Sequence, residues 1–359
     1  MARCTLQDMI IGLHLLALTL CVASLVGTAQ AADVRRLMSE ANLPGLTVAT
    51  VHDGHVSIDN YGVRNAHSAS PVDEHTVFAA ASLSKPVFAY IVLQLIDQGR
   101  LSFDDPVAKY AQVDVKDDQR AGLVTVRQVL SHTTGLPNWR SKVWPMRTFF
   151  PPGDRFSYSG EGFVWLQQAV EAITGEKLDA VAQRLVFEPL GMTDSSFVWQ
   201  PRFGDDHADP HNGAGEPLPQ YRPTEANAAA SLQTTAADYA RFLIAVLHGE
   251  RLRPETATMW LSPQVTLRRH CAFCLDARPA GEPIGVAWGL GWGLEPASDT
   301  FFHWGDNGGF KAMAMGSRRT GVAIVVLTNG AAGLWSAMAL AGEQFPGPHP
   351  SFNWLDYGG

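Results

Sequence analysis

Strand-forming segments stand at both ends of this chain, and the long stretch between them is patterned for helices. Residues 46–51 are rich in β-branched side chains, Asp53-Gly54 is a strong turn signal, and apolar residues alternate with polar ones after it. Near the other end, residues 311–316 and 322–328 look like hairpin arms joined at Arg319-Thr320-Gly321, and residues 289–294 form another candidate strand. Strands at both ends with helices between them suggest one sheet built from the two termini.

The middle of the chain carries helical periodicity. Residues 82–99 are apolar at Val87, Ile91 and Ile96, and Gly99 follows as a stop signal. Further helices are predicted at residues 125–130, 161–173, 177–186, 236–247 and 334–343. We therefore predict an α+β or α/β fold with a sheet region over about 40–80 and 285–345 and an inserted, mainly helical region over about 82–250.

Composition and the N-terminus limit the class of protein. Of the 359 residues, 46% are hydrophobic and 17% charged, as in a globular protein, and a net charge of −8 without a basic stripe argues against nucleic acid as a partner. The first residues combine Arg3, an apolar run and Ala29-Gln30-Ala31, which is the pattern of a cleavable signal peptide. We expect residues 1–31 to be a signal peptide and 32–359 the mature domain, periplasmic or secreted. An uncleaved membrane anchor, with the protein serving as a tethered scaffold, is the alternative.

Two cysteines remain after such a cleavage. Cys271 and Cys274 are spaced C-x-x-C, which in an oxidising compartment predicts a local disulfide. His270 beside them leaves a redox or metal site as an alternative, but a zinc site needs about four ligands and the chain has no second C-x-x-C. Acidic and histidine residues also crowd the loop at 205–211, and their spacing matches no standard ligand pattern, so we expect a solvated loop. No metal and no cofactor are predicted.

A short motif at the start of the helix at 82–99 has the residues for nucleophilic catalysis. Ser82-Leu83-Ser84-Lys85 places Ser82 and Lys85 three residues apart, on one face of a helix start. A lysine amine can accept the serine proton if burial and its neighbours lower the lysine pKa. The ordinary alternative is a serine that caps a solvated helix.

Two later segments could complete such a site. Tyr158 precedes a predicted helix, and a tyrosine held near a lysine can shuttle a proton. His303-Trp304-Gly305 lies on a predicted strand before Asp306, where a backbone N–H group could join that of the serine in an oxyanion hole. Taken alone, Tyr158 is better interpreted as an aromatic residue packed at a helix start, and the alternative for His303 is a buried histidine in a strand.

The three elements in this order resemble the serine β-lactamase and penicillin-binding protein superfamily, whose set is S-x-x-K, a central Tyr or Ser, and K-T-G or a variant. The resemblance is strongest to class C β-lactamases, D-Ala-D-Ala carboxypeptidases and related esterases, and it spans about residues 45–330. Segments 130–137 (LSHTTGLP) and 189–192 (PLGM) also look like recurrent segments of that superfamily.

The resemblance implies a role for each matching residue. Ser82 would be the nucleophile, Lys85 and Tyr158 would handle its proton, and the N–H groups of Ser82 and Asp306 would form the oxyanion hole. His303 would stand where the β-lactamases have a lysine. His132 would be structural, within a turn packed beside the site, and the fold would be a helical region against an α/β region with an antiparallel sheet.

Two departures from the family pattern bear on the substrate. Gly160 stands where class C β-lactamases carry an asparagine that binds the β-lactam side-chain amide, and His303-Trp304-Gly305 replaces K-T-G. A histidine is not a fixed cation at neutral pH, and Trp304 adds apolar surface. We therefore predict a serine hydrolase for a small ester, amide or cell-wall peptide, with an esterase or D-amino-acid peptidase favoured. A class C-type β-lactamase and a non-catalytic peptidoglycan-binding relative are the alternatives.

Overall fold

A computed structural model describes residues 33–112, 115, 118–276 and 281–355. The predicted signal peptide lies outside these residues, so its cleavage and the export that depends on it stay predictions. Within the described part of the chain, two sheets contain these strands: β1 Gly45–His52, β2 His55–Gly62, β3 Phe78–Ala81, β4 Leu232–Thr234, β5 Val265–Thr266, β6 Ala287–Trp288, β7 Gly293–Glu295, β8 Thr300–Asp306, β9 Lys311–Ser317 and β10 Val322–Thr328.

The strands of the large sheet are contributed by both ends of the described chain. Its order is β2-β1-β10-β9-β8-β7-β6-β5, and every neighbouring pair is antiparallel. A separate two-stranded sheet joins β3 to β4. The predicted sheet from both termini is therefore confirmed, and β1 meets its C-terminal partner β10 in the register Val48↔Val326.

Helices occupy the middle of the chain and both faces of the large sheet. They are α1 over residues 33–40, α2 Ser84–Asp97, α3 Val126–Leu130, α4 Gly160–Thr174, α5 Leu178–Ala182, α6 Glu188–Leu190, α7 Ala236–His248, α8 Pro254–Trp260, α9 Gly333–Gln344 and α10 Pro350–Leu355. Each predicted helix has an observed counterpart within about two residues at its start. None of the helices in the described ranges is both long and apolar enough to cross a bilayer.

The core has two layers, one on each face of the large sheet. Along β8, Phe301 faces the helical region while Phe302 and Trp304 face the opposite side. Along β10, Val325 and Val326 divide in the same way. This alternation is the two-residue period of a strand whose two faces are both covered. The sheet is consequently a central layer, with α2, α4 and α7 on one side and α9 and α10 on the other.

Local turn signals predicted both hairpin turns correctly, whereas one strand prediction was right only in part. Asp53 and Gly54 both have positive φ angles, +49° and +79°, and close the two-residue turn between β1 and β2. The predicted strand at 289–294 is right only at its end, because Gly293 and Leu294 belong to β7 and the chain turns before them, between β6 and β7. Gly291 has a φ of +89°, and a Cβ on it would lie 2.5 Å from the Ala89 Cβ, so the turn sits directly on α2.

The acidic and histidine-rich loop at 205–211 differs from the sequence prediction of a solvated loop. His207 and His211 are buried. The His207 ring contacts the Ala208 carbonyl and the Gln233 amide oxygen, and the His211 ring accepts from the Ala66 N–H and contacts the Asn329 carbonyl. These contacts occupy both ring nitrogens of each histidine, so the two imidazoles join the loop to the body of the fold. The sequence prediction failed because it judged the segment by its composition and spacing alone.

Candidate active site

Ser82 lies in the tight turn between β3 and α2. Ala81, just before it, has a φ of +51°, a left-handed conformation that is uncommon for a residue with a side chain. The turn is held by Ser84, whose hydroxyl donates to the Ala81 carbonyl at 2.6 Å and accepts from the Leu232 N–H at 2.9 Å. Ser82 is partly exposed whereas its neighbours are buried, so the turn presents this one hydroxyl to the surface.

Lys85 places a buried amine against that hydroxyl. Its Nζ lies 3.1 Å from Ser82 Oγ and donates to the Ala229 carbonyl at 2.7 Å. The same Nζ sits 4.7 Å from the centre of the Tyr158 ring. The side chain is fully buried, and this burial lowers the pKa of Lys85 well below its usual value of 10.5 because the charged form loses its hydration. The lowered pKa favours the neutral amine, and in that form its lone pair would lie close to the serine proton.

Tyr158 is fixed beside Lys85 by the ring of His132. The two rings stack with centroids 4.2 Å apart, and His132 Nδ1 accepts the Ser159 N–H at 3.0 Å. The His132 carbonyl also accepts the Ser157 N–H at 2.8 Å, so His132 contacts the chain on both sides of Tyr158. Burial lowers the pKa of His132 well below its usual value, with a further contribution from Lys85, so the ring is neutral. This position agrees with the structural role that the resemblance implies for His132.

Replacing His132 with alanine should test this arrangement. The change removes the ring that packs on Tyr158 and leaves the buried Ser159 N–H without its acceptor. We expect the free energy of unfolding to fall by about 2–4 kcal/mol, the range for loss of a buried ring together with a hydrogen-bond partner. Urea denaturation followed by circular dichroism gives this value. His75→Ala, at an exposed position, should change it by less than about 0.5 kcal/mol. Equal effects of the two substitutions would contradict the positioning role.

His303 lies on β8 close to Tyr158, with its ring centroid 5.9 Å from that of Tyr158. Its Nδ1 donates to the Trp304 carbonyl at 2.8 Å, which leaves the lone pair on Nε2. Within the described chain, this buried Nε2 has no hydrogen-bond partner. Burial, and secondly the nearby Lys85, lower the pKa of His303 to about 3. The histidine at the family's lysine position is therefore uncharged at neutral pH, which agrees with the expectation from the sequence.

Trp304 is nearly buried, and this changes what its apolar surface can do. Only 4% of the residue is exposed, and its ring packs on Tyr158 with centroids 4.9 Å apart and on Trp354 at 5.4 Å. The expectation that Trp304 adds an open apolar surface to the site thus needs correction, because its ring is buried in the same core cluster as Tyr158. Its large ring supports Tyr158 from behind.

Gly305 and Asp306 bring β8 against the turn that contains Ser82. A Cβ on Gly305 would lie 2.5 Å from the Ala80 carbonyl oxygen and 3.1 Å from the Ala81 Cβ, so only glycine allows this approach. Asp306 follows at the end of the strand, with an exposed carboxylate that pairs with Lys311 and accepts the Gly308 N–H. The predicted pair of backbone groups, from Ser82 and Asp306, is thus carried on two segments in direct contact.

Gly160 begins α4, two residues after Tyr158. Its N–H donates to both the carbonyl and the side-chain oxygen of Asn138, each at 3.0 Å. A Cβ on Gly160 would lie 2.8 Å from Cη2 of the Trp139 ring and 2.9 Å from the Asn138 carbonyl oxygen. The space next to the helix start is therefore filled by Trp139, which the sequence analysis did not single out. The position of Trp139 beside Gly160 is visible only in the folded structure, because no sequence motif surrounds Trp139.

The predicted disulfide between Cys271 and Cys274 is present, with Cα atoms 5.8 Å apart. The short loop that it closes contacts Tyr158 in two ways. The Tyr158 N–H donates to the Ala272 carbonyl at 2.8 Å, and the Phe273 ring meets the Tyr158 ring edge-on with centroids 6.0 Å apart. Sequence reasoning predicted the bridge but not its place beside the site.

Comparison with known proteins identifies the family. The Beta-lactamase family model matches residues 31–344. The chain therefore belongs to the Beta-lactamase family, whose members are serine hydrolases such as esterases, β-lactamases and carboxypeptidases.

Individual proteins show the same relationship. The chain is 27% identical to penicillin-binding protein 4 of Amycolatopsis lactamdurans, over 82% of this chain and 83% of that protein. It is 32% identical to the esterase EstB of Burkholderia gladioli over 44% of this chain and 47% of that one. Its fold is similar to that of an octameric penicillin-binding protein homologue from Pyrococcus abyssi, with a TM-score of 0.74 and 23% identity over 89% of this chain and 79% of that chain.

Proposed function

We propose that this protein hydrolyses esters through an acyl-enzyme formed on Ser82. The observation that carries the proposal is the 3.1 Å contact between Ser82 Oγ and a fully buried Lys85 amine. A serine hydroxyl is a weak nucleophile unless a base takes its proton, and a lysine serves as that base only when burial keeps it neutral. Both conditions meet at this pair.

The reaction begins with attack of Ser82 Oγ on the ester carbonyl carbon while the hydroxyl proton passes to Lys85 Nζ. The carbonyl oxygen takes up the electron pair, and the N–H groups of Ser82 and Asp306 stabilise its charge. Collapse of this intermediate breaks the bond to the alcohol oxygen, which leaves with a proton. Water then attacks the acyl carbon and gives a proton to the basic groups of the site, and the bond between this carbon and Ser82 Oγ breaks. The carboxylic acid leaves, and the proton passes to Ser82 Oγ. The N-terminus of α2 favours the negative charge that develops at Ser82.

Tyr158 is the group we assign to the proton of the leaving alcohol and to the deacylating water. Its ring lies 4.7 Å from Lys85 Nζ, and the rings of His132 and Trp304 hold it from two directions. A proton can pass between Lys85 and the leaving group only if the carrier stays in place during the step. The tight packing of this phenol supports the assignment.

Charge at the site favours an ester over a substrate with a free carboxylate. His303 is neutral because its pKa is about 3, and Lys311 is already paired with Asp306. Neither therefore offers an unpaired positive charge to the carboxylate of a β-lactam or a D-alanyl peptide. Gly160 has no side chain to bind a substrate amide. EstB, whose name describes an esterase, supports the same choice among the relatives.

The test is to offer p-nitrophenyl butyrate and a chromogenic cephalosporin to the protein in parallel, and to identify the acylated residue. Reactions stopped in acid and digested should yield a butyryl group on the peptide that contains Ser82, with ester turnover at least about 100-fold above cephalosporin turnover. A Ser68→Ala variant, at an exposed serine, should keep the adduct and the rate. Ester turnover with the label elsewhere would overturn the site, and faster cephalosporin turnover would favour a β-lactamase. No turnover and no adduct would favour a non-catalytic relative.

A further inference from the structure

A short turn after Trp139 exposes large apolar side chains at the surface. The Ser141 N–H donates to the Trp144 carbonyl at 2.8 Å, and the Trp144 N–H donates to the Ser141 hydroxyl at 3.0 Å. Lys142 and Val143 therefore form the tip of the turn. Val143 is 75% exposed and Trp144 is 43% exposed. Single exposed apolar residues are ordinary, but adjacent ones at a protruding tip are typical of a surface that meets another apolar phase.

The turn is held to the body of the protein on both sides. Before it, Arg140 donates to the buried Glu161 carboxylate from its backbone N–H, its Nε and one terminal nitrogen. After it, the Thr148 N–H and hydroxyl donate to the Asp118 carboxylate at 2.6 and 2.5 Å, and Arg120 donates to the Thr148 carbonyl at 2.6 Å. The exposed side chains between these anchors stand on a fixed base, which lowers the entropic cost of binding.

Two cations accompany the apolar side chains. The Trp144 ring meets the Phe149 ring edge-on with centroids 5.3 Å apart, and the Arg147 guanidinium lies 4.6 Å from the centre of the same Phe149 ring. Arg147 and Trp144 are thus neighbours on one side chain, and Lys142 stands at the tip. Over the ranges that the structure describes, neither Lys142 nor Arg147 pairs with a carboxylate. The turn therefore presents unneutralised positive charge next to apolar surface.

The charge around the turn is opposite in sign to that of the whole chain. The net charge is −8, yet no Asp or Glu occurs between Asp118 and Asp154, and this stretch contains Arg120, Arg127, Arg140, Lys142 and Arg147. Three of these arginines pair with carboxylates, which leaves the two cations of the turn. Exposed charges farther away than about 10 Å are largely screened at ordinary salt. An anionic surface that meets the turn is consequently attracted by it despite the net charge of the protein.

We propose that this turn docks the protein on an anionic lipid bilayer, with Val143 and Trp144 among the lipids and Lys142 and Arg147 at the headgroup phosphates. Tryptophan suits this boundary because its ring is apolar and its N–H is polar. Lysine and arginine keep their charged ends in the headgroup layer while their stems cover apolar surface. A protruding tip favours lipid over a protein partner, because a protein must offer a pocket of matching shape whereas lipids move apart around the side chains. The inference is independent of the proposed ester hydrolysis.

The experiment measures partitioning of the protein onto sedimented vesicles of phosphatidylcholine with about 30% phosphatidylglycerol, and onto phosphatidylcholine alone. The wild-type protein should bind the anionic vesicles more strongly, and added salt should weaken this binding. Lys142→Gln and Arg147→Gln should each lower the partition coefficient about fivefold, and Val143→Asp about 10-fold or more. Lys177→Gln, at an exposed lysine outside the turn, should leave it unchanged. Thermal melts confirm that each variant is folded.

Fluorescence quenching gives a readout that belongs to the turn alone. The apolar run near the N-terminus is also able to bind lipid, so vesicle binding by itself does not assign the contact. Phosphatidylglycerol brominated on its acyl chains should quench the tryptophan fluorescence of the wild-type protein. Trp144→Phe should lose a large part of this quenching, although phenylalanine keeps the side chain apolar. Trp335→Phe removes another exposed ring, on α9, and should quench as the wild type does.

The outcomes decide between the bilayer and other partners of the turn. Quenching that is the same in the wild type and in Trp144→Phe would overturn the proposal, even if the protein binds the vesicles through its N-terminus. A lipid-free dimer in analytical ultracentrifugation that dissociates in Val143→Asp would also overturn it, because the turn would then meet a second copy of the chain. Neither result bears on acylation of Ser82, so the two proposals fail separately.

Discussion

Ser82→Ala is expected to lower kcat/KM for p-nitrophenyl butyrate by about 10,000-fold or more. The hydroxyl is the only group that forms the acyl-enzyme in the proposed mechanism, and loss of a catalytic serine removes nearly all rate enhancement except that due to binding and the oxyanion hole. Because Ser82 is partly exposed and its hydroxyl is not part of the core, the variant should keep its fold. Initial rates measured spectrophotometrically, with a thermal melt of each protein, check both expectations.

Ser68→Ala is the matched control for this experiment. It removes another hydroxyl from an exposed loop position and should retain the wild-type rate within about twofold. Residual activity of Ser82→Ala within 10-fold of the wild type would show that another residue is the nucleophile. The mechanism proposed above would then be wrong, whereas the fold and the family would be unaffected.

Lys85→Met is expected to lower kcat by about 1,000-fold and to change how stability depends on pH. The rate effect follows because methionine has a similar length but no lone pair for the Ser82 proton, and general-base catalysis contributes about 100- to 10,000-fold. In the wild type, kcat/KM should rise with pH as Lys85 loses its proton, with a midpoint below the usual lysine value of 10.5. Lys109→Met, on the surface, should leave the rate unchanged.

The pH dependence of stability has a definite sign. Burial lowers the pKa of Lys85 in the folded state, so between that pKa and about 10.5 the unfolded chain binds one proton more than the folded protein. Wild-type stability should therefore rise with pH relative to Lys85→Met, by up to about 1.4 kcal/mol per pH unit, and level off above about 10.5. Urea denaturation of both proteins at pH 7, 8 and 9 measures this difference. A difference that does not change with pH would mean that Lys85 is charged in the fold.

Much of the fold could be predicted because its signals are local. Asp53-Gly54 indicates a two-residue hairpin turn, since positive φ angles at two successive residues are tolerated by few side chains. The start of α2 was predictable from the apolar period that follows Ser82. By contrast, residues 289–294 have the composition of a strand, yet only Gly293 and Leu294 are in β7. The residues before them form a turn, in which Gly291 lies against α2 at a distance that no local pattern reveals. The sequence analysis also predicted no helix at α8, Pro254–Trp260.

The residues of the candidate site were likewise predictable from the sequence only in part. Ser82 and Lys85 were predictable as a pair because three residues on a helix start necessarily bring two side chains together. Tyr158, His303 and Asp306 were candidates from their local context, and family resemblance supplied their roles. The tertiary structure is what brings their segments to the turn at Ser82. Trp139 and Phe273 carried no signal at all. An exposed aromatic residue in a loop looks the same in a sequence whether it stands alone or beside a reactive group.

What the sequence by itself determined is the local chemistry: a serine and a lysine on one face of a helix start, two hairpins, and a C-x-x-C pair close enough to bridge. What only the tertiary structure decided is the state of these groups. Lys85 becomes a base because the surrounding core removes water from its amine, and His303 is neutral because it is buried near the same amine. Trp304 offers no open apolar surface because its ring is buried against Tyr158 and Trp354. Desolvation and packing depend on residues far apart in the chain, so they exist only once the chain has folded.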